Sequence, residues 1–329
     1  MKGKYHITIE NRRIRYEFTI RRNITVIRGD SASGKTQLLE MIRAFNRQNG
    51  DSGVTLQCGV PCIVLDSVRW EYTLASLSQS IVFIDEGNPF VSSDEFARTV
   101  RSSDNYFVII TRDSLPNLPY SVDEIYGIRT SSKYAGLKKT YNELYRLYGN
   151  VSSGQLPLVK MAVIEDSNAG FEFFDAVLQN RLPCVSAGGK SAIPALLRKE
   201  APDRMILMIA DGAAFGAEME NIERLMEAGY KIALYLPESF EWTILSSGLV
   251  DDTETAEILA HPEDFIESTK YTSWEQFFTA LLIQKTDKTY LRYSKRKLNR
   301  VYLQEKERNA ILDTMSALGP LLEDCYPTQ

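Results

Sequence analysis

The chain has 329 residues, 44% hydrophobic and 25% charged, with a net charge of −5. This is the composition of a folded globular protein of about two domains, and it excludes a highly basic nucleic-acid coat protein. The charge is uneven, because residues 1–150 carry 20 basic and 16 acidic side chains whereas residues 151–329 carry 18 and 27, and that asymmetry also favours two domains.

The opening Met1-Lys2-Gly3-Lys4-Tyr5-His6 lacks the apolar core of a signal peptide. No apolar run approaches the ~18 residues that a membrane span needs. Cys58, Cys62, Cys184 and Cys325 form neither a disulfide framework nor a paired zinc pattern, and His6 and His261 are the only histidines. The expectation is a cytoplasmic protein with reduced thiols and no membrane partner.

In chain order, residues 5–10 and 14–20 alternate apolar and charged side chains around Asn11-Arg12-Arg13, a β-meander. Ile24-Thr25-Val26-Ile27 is a continuous β-branched run, the pattern of a buried parallel strand. Helical spacing follows over residues 37–45. Ile81–Ile84 and Tyr106–Ile110 are two further buried strands, with a helical stretch at about 93–102 between them. This alternation predicts a parallel sheet covered by helices. Leu137, Tyr141, Leu144, Tyr145 and Tyr148 fit one face of a helix over 137–148, its aromatic stripe buried against the domain. Residues 149–157 read as a linker.

A second α/β unit follows, with strands at Lys160–Ile164, Pro183–Val185, Met205–Ala210 and Lys231–Leu236 and helices near 169–180, 190–199 and 216–228. From about Ser273 the chain reads as helical. The domains are therefore 1–150, a linker at 151–158, 159–272, and a helical C-terminal region, 273–329.

The sharpest motif is Gly29-Asp30-Ser31-Ala32-Ser33-Gly34-Lys35-Thr36, a complete G-x-x-x-x-G-K-[ST] match between a strand and a helix. Small residues at this spacing let backbone N–H groups wrap a phosphate, and the following helix turns its positive end toward it. Lys35 reaches the β- and γ-phosphates of ATP, and the Thr36 hydroxyl ligates Mg²⁺. The second strand supplies the partner carboxylates. Asp85 holds the Mg²⁺, and Glu86 orients or deprotonates the attacking water. Thr111 and Arg112, at the tip of the next strand, are placed to sense the γ-phosphate.

The meander, the phosphate loop and the Asp85-Glu86 strand resemble P-loop ATPases of the ABC and SMC type over residues 1–113. The interval between Thr36 and Phe83 leaves no room for a large helical subdomain, and no LSGGQ-like peptide precedes Asp85. In the second half, Glu165 follows one buried strand and Asp211 another, so both acids meet at one sheet edge. This order resembles the Toprim fold, where a Glu follows the first strand and an Asp-x-Asp pair a later one. Ala213 stands where the second Asp is expected. The likeness implies Mg²⁺ or Mn²⁺ on Glu165 and Asp211, with Asp166, Glu238 or Glu241 as substitutes for the missing acid. An ATPase domain before a Toprim domain is the arrangement of OLD-family ATPase–nucleases. It implies an α/β protein with an N-terminal P-loop ATPase domain, a Toprim-like domain and a helical C-terminal region.

Residues 285–308 hold nine basic and three acidic side chains, with Tyr290, Tyr293 and Tyr302 interleaved. Lys288, Arg292, Lys295, Arg296, Lys297 and Arg300 form either a stripe facing the phosphates of DNA or RNA or a solvated helix face. The functional expectation is an ATPase whose nucleotide state controls a Toprim-like domain acting on or binding nucleic acid, in phage defence or a mobile element. The alternative is a nucleotide-dependent regulatory or scaffold protein with a non-cleaving second domain, in either case as a homodimer or with a partner protein. A third reading, a nucleotide or small-molecule kinase, is opposed by the adjacent acids and the lack of a lid.

Overall fold

The computed structural model describes residues 1–29, 34–48, 52–66, 69–131, 139–149 and 158–322. The chain is α/β and divides into two compact units. One comprises Met1–Tyr148 with His261–Ser273, and the other Gly149–Ala260 with Trp274–Gln329. The return segment 261–273 thus belongs with the first unit, whereas the sequence assigns it to the second domain. Within that first unit the Met1 ammonium is ion-paired with Glu267, and Asn23 Nδ2 donates to the Thr272 carbonyl (2.9 Å). Among the described residues no helix is long and apolar enough to cross a membrane.

The first unit contains β1 (Tyr5–Glu10), β2 (Ile14–Ile20), β3 (Ile24–Ile27), α1 (Lys35–Gln48), β4 (Thr55–Gln57), β5 (Cys62–Leu65), α2 (Trp70–Ala75), β6 (Ile81–Ile84), α3 (Asp94–Ser102), β7 (Tyr106–Ile110), β8 (Ile125–Thr130) and β9 (Thr140–Arg146). They build one nine-stranded mixed sheet in the order β4-β1-β2-β9-β8-β3-β7-β6-β5. The run β8-β3-β7-β6-β5 is parallel throughout. Strands β3, β6 and β7 are buried along their whole length, which is why they read as unbroken apolar runs.

The sheet cannot be flat. Nine strands at ~4.8 Å spacing would put its edges roughly 40 Å apart, yet the edge strands β4 and β5 are joined by residues 58–61 alone, a reach of about 19 Å. The sheet closes around α1, which packs on β1, β4 and β5. Leu38, Leu39, Met41 and Ile42 of that helix sit with Ile7, Ile9, Phe83 and Val108 in one buried cluster.

The predicted helix over 137–148 is absent. Residues 140–146 form β9, parallel to β2 and antiparallel to β8, while Leu137 lies outside the described residues. Thr140, Tyr141 and Tyr145 are strand formers, and pairing on both sides overrides the helical spacing of the apolar residues. The proposed linker is outside the described residues from 150 to 157.

The second unit contains β10 (Met161–Ile164), α4 (Ala169–Leu178), β11 (Cys184–Ser186), α5 (Ile193–Leu197), β12 (Ile206–Ile209), α6 (Met219–Glu227), β13 (Ile232–Tyr235), α7 (Phe240–Ser246), α8 (Thr253–Ala260), α9 (Trp274–Thr286), α10 (Glu305–Thr314) and α11 (Gly319–Leu322). Its four strands are all parallel in the order β11-β10-β12-β13. Among the described residues the C-terminal region is largely helical from 274 to 322 except between 287 and 299, so most of the basic segment lies on an irregular loop and not on a helix.

Candidate functional site

In the first unit, strand register decides what meets at the sheet edge. Ile27 pairs with Ile110, and Ile84 with Ile109. The residues that follow, Arg28-Gly29, Thr111-Arg112 and Asp85-Glu86, therefore emerge side by side at the C-terminal ends of three adjacent parallel strands. Gly29 and Gly34 have φ of 135° and 90°, a region open to glycine at little cost. A Cβ on Gly34 would also lie 2.8 Å from the Tyr16 hydroxyl, which donates to the Gly34 carbonyl (2.8 Å). Asp30, Ser31, Ala32 and Ser33 lie outside the described residues.

Lys35 and Thr36 open the 14-residue helix α1. Lys35 is buried and its ammonium bonds the Gly29 carbonyl across the base of the loop, while Thr36 is exposed. Glu86 is ion-paired to Arg112 at 2.6 Å. Asp85 pairs with Arg43 of α1 at 3.5 Å, and Arg43 also reaches Asp66 at 3.0 Å. Arg43 was not evident in the sequence, where nothing links it to the acidic strand end. Thr111 exchanges hydrogen bonds with the Asp113 backbone. Cations, two carboxylates and the positive end of a helix thus share one edge, a donor set suited to a nucleoside triphosphate and its Mg²⁺.

In the second unit, Ile164 pairs with Ile209 and Ile209 with Tyr235, which brings Glu165 and Asp211 to one edge. Glu165 Oε2 accepts from the Asp211 amide (2.9 Å), and Asp211 Oδ1 accepts from the Phe240 amide at the start of α7 (3.1 Å). Asp166 accepts from the Phe171 amide in the first turn of α4 (2.7 Å). Glu165, Asp166 and Asp211 line a cleft of about 20 Å³, room for one water or small ion.

The neighbours of these acids come from farther along the chain. Glu241 is 1% exposed. Its Oε1 accepts from the Tyr293 hydroxyl (2.9 Å), and its Oε2 has no hydrogen-bond partner among the described residues. Lys295 Nζ lies 2.5 Å from Glu275 and 3.8 Å from Glu241. Burial pushes the Glu165 carboxyl up to about 7, and Glu275 adds to the rise. Burial, then Glu275, Glu241 and Glu165, push Asp211 well above the ordinary carboxylate range. Burial opposes the charge on Lys295, but Glu241, Glu275 and Asp211 outweigh it and hold the ammonium above its usual value.

The sequence singled out Glu165 and Asp211, named Glu241 as a substitute ligand, and put Lys295 among cations that either face phosphates or line a solvated helix face. Lys295 instead turns inward, and Glu275 was missed because it lies on a helix with no acidic motif. Ala213 is 2% exposed and its amide donates to the Glu238 carbonyl (3.1 Å). Among the described residues, no group of three or more His, Cys, Asp or Glu side chains is arranged to hold a metal ion. The acids therefore do not fit a two-metal centre, which needs several carboxylates around ions ~4 Å apart.

The loop that carries Lys295 is held firmly. The Ala169 amide donates to the Lys295 carbonyl (3.1 Å), the Leu298 amide to Glu172 Oε2 (3.1 Å), and the Tyr293 amide to Thr286 Oγ1 (3.0 Å). Leu291, Tyr293 and Leu298 point inward, while Arg292, Arg296, Lys297 and Arg300 are exposed. Arg292 faces Asp287 at 3.7 Å, and a groove of about 620 Å³ runs along this loop. Compared with known proteins, the chain matches no family model and no curated protein.

Proposed function

We propose that the first unit binds ATP with Mg²⁺ and hydrolyses it, and that the second is a Toprim-like domain that binds nucleic acid without cutting it. One observation carries the first part. The parallel order β8-β3-β7-β6-β5 inserts β7 between the phosphate-loop strand and the Asp85-Glu86 strand, so that Arg112 and Glu86 meet beside Lys35 and Thr36 at one edge. Lys35 and the amides at the start of α1 neutralise the phosphates. Thr36 and Asp85 would hold the Mg²⁺, which would supply charge stabilisation at the γ-phosphate, and Glu86 would orient the attacking water once its pair with Arg112 opens.

For the second unit, the order β11-β10-β12-β13 with Glu165 and Asp211 at adjacent strand ends supports the Toprim-like reading. Two features favour the non-cleaving form. Ala213 stands buried in place of an acid, and Lys295 supplies positive charge to the cluster from within the chain. The exposed cations of the 292–300 loop then engage phosphates sequence-independently.

The test is phosphate release from ATP without an added acceptor, beside cleavage of supercoiled plasmid and short RNA in Mg²⁺ or Mn²⁺. Hydrolysis lost in Lys35→Ala and Glu86→Gln, without cleavage under any condition, is the expected result. Cleavage that disappears in a Glu165→Ala, Asp211→Ala double variant would overturn the non-cleaving reading. Retention of oligonucleotide binding at low salt after Arg296→Glu and Lys297→Glu would overturn the assigned surface.

A further inference from the structure

The loop Cys58-Gly59-Val60-Pro61 closes the seam between the two edges of the nine-stranded sheet, β4 on one side and β5 on the other. The loop begins with Cys58 and runs into Cys62, so two of the chain's four cysteines fall within five residues. Cys62, the first residue of β5, is 3% exposed in the core around α1. Cys58 is half-buried against the same cluster, so one thiol is open to small reagents and the other is not. The Cys62 thiol donates to the Val60 carbonyl inside the loop (3.9 Å), and Cys62 and the Gly59 and Val60 amides lie close enough to act on the Cys58 sulfur. These donors favour a thiolate at Cys58, while its negative charge and burial keep Cys62 protonated. The Cys62 carbonyl in turn accepts from Asn46 Nδ2 of α1 at 2.9 Å. Neither sulfur takes part in the nucleotide edge or in the acidic cleft.

We propose that Cys58 and Cys62 form a peroxide-oxidisable dithiol that closes to a disulfide across the seam of the first unit. The Cys58 thiolate attacks one oxygen of hydrogen peroxide, the O–O bond breaks, and hydroxide leaves, so that Cys58 becomes a sulfenic acid. Cys62 then gives its proton to that hydroxide and attacks the Cys58 sulfur. An S–S bond forms, the S–O bond breaks, and the departing oxygen leaves as water after taking up a solvent proton, the one that Cys58 released on ionising. The two thiols lose two electrons and two protons, and the peroxide is reduced to two waters. A dithiol reductant reverses the bond. Closure brings the two sulfurs to ~2.05 Å and fixes the loop that joins the sheet edges beside α1.

The experiment uses the full chain with Cys184→Ser and Cys325→Ser, so that only the pair remains, treated with hydrogen peroxide and then quenched. The expected result is loss of both free thiols, an intact mass lower by two hydrogens, a monomer on a non-reducing gel, and recovery of both thiols with dithiothreitol. Adding Cys62→Ser leaves the sulfenic acid unresolved, and dimedone then labels Cys58. Peptide mapping of the unsubstituted protein checks the same link without any change of sequence, as one peptide carrying both residues in bridged form. Two free thiols after treatment, a gain of oxygen without a bridge, or a disulfide joining two chains or other cysteines would each overturn the proposal.

Discussion

The two units end their parallel strands in the same way and make different environments of the result. Ile81–Ile84 runs into Asp85-Glu86, and Met161–Ile164 runs into Glu165-Asp166; each is four buried residues followed by two acids. In the first unit that edge stays open, with Glu86 36% and Arg112 55% exposed in their ion pair. In the second, α7, α9 and the 287–299 loop supply Glu241, Glu275, Tyr293 and Lys295 to the same edge, and Glu241 is almost fully enclosed. A strand ending in acids therefore does not by itself define a chemistry. What covers the edge decides whether the acids are available to a ligand or neutralised from within.

The sharpest break of this comparison is Lys35→Ala. If the open edge is a nucleotide site, ATP hydrolysis falls by about 10²–10³-fold, the scale on which one charge-stabilising donor acts, and phosphate release measures it. Undiminished hydrolysis would remove the functional contrast between the edges. The next effect belongs to the closed edge. Lys295→Met leaves Glu241, Glu275 and Asp211 without their shared cation. Breaking a fully buried pair costs about 3–5 kcal/mol, and partial exposure of Lys295 reduces the expectation to about 1–3 kcal/mol. Urea unfolding of the full chain reads it, and adding Glu275→Gln restores part of the loss by removing one of the stranded charges.

Much of this contrast was hidden in the sequence. The strands at 24–27, 81–84, 106–110 and 161–164 were legible because strands buried on both faces leave unbroken apolar runs. β4 has a single apolar residue, β5 is an apolar run whose two central residues are only half-buried, and β8 carries Gly127 and two exposed residues at its end. The misread helix shows the opposite problem, since Tyr141, Leu144, Tyr145 and Tyr148 satisfy a helical period by spacing alone. Tyr145 in fact lies opposite Gly127, where a Cβ would come within 2.6 Å of its ring, a cross-strand fit that no single-segment pattern reveals. The same reasoning covers the site. Glu165 and Asp211 follow predicted strands, but Glu275 and the inward turn of Lys295 depend on how an irregular loop docks.

A smaller effect comes from pH. Glu165 titrates near 7 when folded and near the usual carboxylate value when unfolded. The folded chain therefore holds the extra proton between those values, and the stabilisation is complete below about 4.5 and lost as pH rises through about 7. The elevated Asp211 acts in the same direction. Urea midpoints measured from pH 5 to pH 8 should fall by an amount worth about 1–2 kcal/mol, and Glu165→Gln should flatten the decline. A midpoint that rises over this range would mean that the closed edge welcomes negative charge as the open one does.

The smallest stability effect is expected at the open edge, where it sets the scale for the rest. Arg112–Glu86 and Lys295–Glu275 are nearly equal in length, at 2.6 and 2.5 Å, so distance alone predicts equal costs for breaking them. Water screens the first pair and much less of the second. Arg112→Ala should therefore lower unfolding stability by less than about 1 kcal/mol, measured in the same urea titration as Lys295→Met. If this edge is a nucleotide site as proposed, its consequence should appear in ATP hydrolysis instead, because Arg112 holds the Glu86 carboxylate in place. Equal losses of stability in the two variants would show that coverage by the 287–299 loop does not set the electrostatics of the second unit, and the distinction between an open, ligand-facing edge and a self-neutralised one would fail.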